Sequence, residues 1–91
     1  MATPSNITVG SSSTSVLPKN LNRRLAILTN DSDETIYVAL GATAEMNKGI
    51  RLNAGGGSLE INATQMYKGA ISAICSSGSK VLCVMENSSE E

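Results

Sequence analysis

Apolar residues recur at every second position in short runs along most of the chain between residues 23 and 86: RLAILTN, TIYVALG, the two halves of IRLNAGGGSLEI, GAISAICS and KVLCVME. A period of two is the signature of a strand that buries one face and wets the other. Turn-forming residues separate the runs, so they fall into three hairpin-like pairs around DSDE, around Gly55-Gly56 and around SGS. This predicts an all-β fold: a small antiparallel β-sandwich or barrel of about six to eight short strands. The stretch GATAEMNKG is the least regular and leaves room for a single helical turn.

The run over residues 50–61 reads nearly the same from either end. A two-residue turn at Gly55 and Gly56, where glycine takes positive φ without steric cost, pairs Leu52 with Leu59, Ile50 with Ile61 and Arg51 with Glu60. The apolar pairs then face a core while the charges meet in water, and a slip of one residue would bury both charges. The expectation is a β-hairpin.

Residues 63–75 also fit a helix, because Ala63, Met66, Tyr67, Ala70, Ile71, Ile74 and Cys75 share helical spacing. Against it stand Gly69 in the middle, the β-branched Ile71 and Ile74, and the alternation of Ile71, Ala73 and Cys75. Strand is the preferred reading from Gly69 onward.

Composition divides the chain into residues 1–20, 21–86 and 87–91. The first twenty are rich in Ser, Thr, Asn and Pro, the composition of an extended or flexible arm. Yet Ile7, Val9, Val16 and Leu17 are spaced through it, so the arm either frays or adds a strand to its own sheet or to a neighbour's. Residues 21–86 form the β domain, and ENSSEE ends the sequence as a solvated acidic tail.

With 91 residues, no Trp, no Phe and two Tyr, the core has to come from Ile, Leu, Val, Met and Ala. A chain this short hides only about 60% of its unfolded surface, and oligomerisation is a common way to add burial. Seven basic against eight acidic residues, with few aromatics, gives neither the basic stripe nor the stacking faces of a nucleic-acid binder. There is no apolar run of the roughly 20 residues a membrane span needs, and no apolar region follows MATPSNITVG, so a cytosolic origin is expected. Cys75 and Cys83 sit within apolar alternation, as reduced core thiols do. Paired across a hairpin, their sulfurs are diagonal neighbours on one face, an arrangement poorly suited to a disulfide.

The sequence has no histidine, which removes the usual general base and the commonest metal ligand. Asp31, Asp33 and Glu34 share one turn and are read as a solvated hairpin tip, without the ligand spacing of a calcium loop. GGGSLE does not open a helix and lacks the Lys-Ser or Lys-Thr of a phosphate loop. No catalytic, cofactor-binding or metal-binding residues are therefore expected, and the chain is read as non-enzymatic. Arg23 and Arg24 are set to meet either a partner's acids or local carboxylates, with the local reading preferred.

The order Asn22-Arg23-Arg24-Leu25, Ile27, Asn30, Ile36-Tyr37, Gly41, Gly49-Ile50-Arg51-Leu52, Gly55-Gly56-Gly57, Gly69-Ala70-Ile71, Ala73-Ile74, Gly78 and Val81-Leu82-Cys83-Val84 resembles small β-rich virion proteins of tailed bacteriophages. The likeness covers about residues 20–86. It implies a capsid decoration, cement or head-fibre component: a structural protein made in the host cytoplasm, located on the capsid surface, and bound to major capsid protein subunits, with a homotrimer as the favoured assembly. On that view Ile7, Val9, Val16 and Leu17 of the arm, with Arg23 and Arg24, are the candidate partner contacts. The alternative is a small tail- or fibre-associated module that binds a host-surface carbohydrate, for which two tyrosines are a poor supply of aromatic faces.

Overall fold

The computed structural model describes residues 2–88, with side chains from Pro4 onward. The period-two pattern becomes eight strands: β1 (Ala2–Val9), β2 (Thr14–Leu17), β3 (Arg23–Asn30), β4 (Ile36–Leu40), β5 (Ile50–Leu52), β6 (Ser58–Ile61), β7 (Ile71–Cys75) and β8 (Lys80–Ser88). They form two four-stranded antiparallel sheets, β1-β8-β3-β6 and β2-β7-β4-β5, packed as a sandwich. The all-β expectation holds. Among the described residues there is no helix: residues 63–70 are loop, the strand begins at Ile71, and the connection 41–49 carries turns only.

The pairing departs from the sequence reading. β3 and β4, β5 and β6, and β7 and β8 each lie in opposite sheets, so none of the three expected hairpins is one. Each is an arch that carries the chain across the core. Among the described residues the one connection that stays within a sheet is 41–49, where β4 pairs β5 with Ile36 opposite Leu52 and Val38 opposite Ile50. Alternation in residues 50–61 is as expected: Leu52 and Ile61 are buried, and Arg51 and Glu60 are exposed. The apolar residues meet across the sandwich instead of side by side, and Arg51 and Glu60 belong to different sheets.

Glycine serves the arch as it would a hairpin. Gly55 and Gly56 take φ of 76° and 119°, and their N–H groups donate to the carbonyls of Ser32 and Asn30 at 3.0 and 2.9 Å. A Cβ on Gly57 would strike the Asn53 backbone. The 53–57 arch is thus bonded to Asn30 at the end of β3 and to Ser32 just beyond it.

Residues 2–17 do not form an extended arm. β1 runs along β8 from Ala2 opposite Asn87 to Val9 opposite Lys80, and β2 pairs β7, so the two strands close one edge of each sheet. Their apolar side chains supply the core: Val9, Val16 and Leu17 are buried, and Ile7 packs against them. The acidic tail expected over 87–91 is still β8 at Asn87 and Ser88, and its remaining residues lie outside those described. The inter-sheet core is aliphatic, centred on Leu28, Ile36, Val38, Leu52, Ile71 and Leu82. Methionine, expected in it, is absent from it among the described residues, and Met66 and Met85 are exposed.

Candidate functional site

Two buried polar side chains terminate β3, and each fastens one end of the sandwich. Arg23, fully shielded from solvent, donates from Nε to Glu86 Oε2 at 2.8 Å, from one terminal nitrogen to the carbonyls of Tyr67 and Gly69 at 2.9 and 3.0 Å, and from the other to that of Pro18 at 2.8 Å. Asn20 also donates to Glu86, at 3.3 Å. A buried guanidinium is tolerable only when its donors are met in this way. At the other end, Asn30 Nδ2 donates to the carbonyls of Glu34 and Leu52 at 2.6 and 2.9 Å, and its Oδ1 accepts from Ser32 Oγ at 2.6 Å. Neither role was foreseen for these residues beyond a local pairing of Arg23. The sequence shows Asn30 only as the last residue of the RLAILTN run.

The acidic turn is not a free tip either. Glu34 accepts from the Ser76 hydroxyl at 3.0 Å, from the Ser77 N–H at 3.2 Å and from the Ser77 hydroxyl, while Asp33 pairs with Lys80 at 2.7 Å. The Ser77 hydrogen bond above all holds the Glu34 carboxyl below the usual glutamate range, and hydrogen bonding and attraction from Lys80 lower Asp33. The same pair raises Lys80. Both carboxylates stay ionised near neutrality, which suits acceptors in a clasp between the 31–35 and 76–79 arches and does not suit a general acid. Among the described residues no group of three or more His, Cys, Asp or Glu could hold a metal ion.

The expected partner contacts scatter. Val9, Val16 and Leu17 are spent in the chain's own core, Ile7 is partly buried against it, and Arg23 is committed internally; only Arg24 is exposed. A different surface emerges from the strand register. With Leu82, Val84 and Leu28 facing inward, the outward positions are Val81, Cys83 and Met85 on β8, Ile27 and Thr29 on β3, and Pro4, Asn6 and Thr8 on β1. These side chains carry no charge and no aromatic ring; beyond them on β6, Glu60 opposite Ile27 is an exposed charge at the margin of the face. Val81 and Met85 are 37% and 36% exposed, and a shallow pocket of about 310 Å³ opens between Pro4, Ile27, Cys83 and Met85.

The outer face of the other sheet is not bare. The 41–49 connection folds toward β2, where the Ala44 N–H donates to Ser13 Oγ at 2.9 Å, and Tyr37 donates to Asn47 Oδ1 at 3.0 Å. Ala44 and the outward-facing Ile74 are both buried. Beside this connection a pocket of about 450 Å³ is lined by Val38, Leu40 and Ile50, with the exposed Glu45–Lys48 pair at 3.0 Å on its rim.

The cysteines are corrected as well. Cys75 is buried in the core and Cys83 lies half-buried on the outer face of the opposite sheet, so they are not diagonal neighbours; both are free thiols. Cys75 Sγ accepts from the Gly78 N–H at 3.3 Å and approaches the Val9 carbonyl at 3.4 Å.

Comparison with known protein families, with curated proteins and with solved structures finds no match to this chain.

Proposed function

We propose that the chain is a non-enzymatic structural module of a tailed-phage virion, attached to major capsid protein subunits through the outer face of β1-β8-β3 and located on the capsid surface. The observation that carries this reading is the contrast between the two sheets: one outer face is screened by its own connection, while the other presents Pro4, Ile27, Val81, Cys83 and Met85, with its charges, Glu60 opposite Ile27 on β6 and Asp31 beside Cys83, at the margin. Uncharged aliphatic surface is costly to leave in water and gains by covering. The resemblance of the residue order to small β-rich phage virion proteins points the same way.

Attachment by a face replaces attachment by a reaching arm, since the apolar residues of β1 and β2 already point into their own core. The outer rim of β1 stays open to further strand pairing, although Pro4 withholds one backbone donor there. A homotrimer around a capsid symmetry axis is the proposed assembly.

Co-sedimentation with expanded capsid shells from the genome that encodes the chain tests the reading, alongside native mass spectrometry of the purified protein. Wild type should pellet with shells, and a Val81→Glu/Met85→Glu variant of unchanged circular dichroism should stay in the supernatant. Equal pelleting by the variant, or no pelleting by wild type, defeats the proposal.

A further inference from the structure

At the end of the bare face nearest Arg23, the β3–β8 ladder slips between Arg23 and Leu25, opening a bulge in β3. A pocket of about 540 Å³ lies there, lined by Arg24, Leu25, Ala63, Met66, Lys68 and Asn87 together with the buried Arg23. Its floor is aliphatic and its exposed charges, Arg24 and Lys68, are both positive; no carboxylate lines it. Of the neighbouring acids, Glu86 has its charge offset by Arg23 at 2.8 Å and its Oε2 engaged by Asn20 as well, and Glu60 accepts from Asn62 at 3.4 Å. Leu25 and Asn87 are paired in the ladder next to Ile27 and Met85, so the pocket is continuous with the bare face.

We infer that this pocket receives a carboxylate-bearing segment of the partner, an aspartate or glutamate flanked by aliphatic residues. Aliphatic side chains of the segment cover Leu25, Ala63 and Met66, while its carboxylate sits between the Arg24 guanidinium and the Lys68 ammonium. A guanidinium matches a carboxylate in planar, two-point geometry, and a lysine adds a point charge. The pocket's volume is that of a site for a few side chains, not for a whole domain. Arg24 thus keeps the partner-binding role that Arg23 cannot have. The inference rests on the reading that the adjoining face binds partner protein, and it supplies the chemistry of one contact.

The test is an NMR titration of the full-length ¹⁵N-labelled protein with the peptide acetyl-Gly-Leu-Glu-Leu-Glu-Gly-amide, compared with peptides carrying Gln or Lys in place of Glu. Amide shifts are expected at residues 23–25, 63–68 and 87, with binding about fivefold weaker for the Gln peptide and absent for the Lys peptide, as two exposed charge contacts allow. Arg24→Glu and Lys68→Glu should each weaken the Glu peptide by a similar factor, and high salt should do the same. Equal affinity for the Glu and Gln peptides, or shifts centred elsewhere, overturns the pocket inference. Shell co-sedimentation separates the two readings. If wild type pellets with shells while the Glu peptide shifts nothing, the pocket inference falls alone. If wild type ignores shells, the capsid reading falls and the titration still decides the pocket.

Discussion

The Asn30 carboxamide donates to the Leu52 carbonyl at 2.9 Å, tying the last residue of β3 to the last residue of β5 in the opposite sheet. The same nitrogen holds the Glu34 carbonyl, so one fully buried side chain joins two arches. Replacing it with alanine takes a donor from the Leu52 carbonyl, leaves the Glu34 carbonyl with the Ser32 hydroxyl at 3.1 Å, and removes the Asn30 oxygen that Ser32 bonds. Asn30→Ala is expected to cost about 3 kcal/mol, and Asn30→Asp at least as much, because a carboxylate has nothing to donate. Urea unfolding checks this: the midpoint should fall with the slope unchanged.

Arg23 and Arg24 are adjacent in sequence and opposite in consequence. Arg23→Ala strands the Glu86 carboxylate and frees three carbonyls, a loss of about 3–5 kcal/mol; Arg24→Ala should stay within about 0.5 kcal/mol. An Arg23→Met/Glu86→Leu double variant should recover part of the first loss, since it removes both charges together. Thermal melts of the three variants against wild type distinguish these outcomes.

The clasp of Asp33, Glu34, Ser76, Ser77 and Lys80 gives stability a definite pH dependence. A carboxyl whose folded value is depressed contributes fully above its unfolded value and loses that contribution as pH falls through the folded one. For Glu34 and Asp33, both lowered, the loss lies below about pH 4. Lys80 is raised, so its contribution is complete below about pH 10.4 and disappears only as pH climbs past its folded value. Unfolding between about pH 5 and 9 should therefore be insensitive to these groups, and Glu34→Gln should flatten the acid limb below about pH 4. All three groups are at the surface, so the change should be small and should shrink with salt.

Thiol labelling should separate the cysteines. Cys83, half-buried on the open face, reacts with a maleimide in the native protein, whereas Cys75 reacts only after unfolding. Mass spectrometry should show one adduct under native conditions and two in denaturant. If that face meets the capsid, the singly labelled protein should lose shell binding while keeping its melting temperature.

What the residue pattern carried was parity, and what it could not carry was partnership. Alternation from Ile50 to Ile61 correctly assigned inward and outward sides, yet a palindromic stretch satisfies an arch across the core as well as a hairpin beside it. Deciding between them needs the third element: Asn30 and Ser32 bond to Gly56 and Gly55, contacts that no local rule contains. The same ambiguity misplaced Cys75 and Cys83 on one face. The apolar residues of the first seventeen were noticed, but their destination depended on β7 and β8 some sixty residues away. Of the expected partner contacts only Arg24 is exposed; the alternation of Asn30, Leu28 and Ala26 continues to Arg24, and it is the bulge between Arg23 and Leu25, invisible to a period-two pattern, that turns Arg23 inward instead. The bare face went unseen because Pro4, Ile27 and Met85 come together only through register.

Strand order has a consequence for synthesis. β7 and β8, last of the strands to leave the ribosome, occupy interior positions of their sheets, with β1 and β3 waiting on either side of β8 and β2 and β4 on either side of β7. A nascent chain halted near residue 70 holds only the β3–β6 and β4–β5 ladders, with its earliest segments unattached. Assembly must then wait for translation to pass β7 and β8, and until it does the rims of β3 and β4 that these strands will cover stand unpaired.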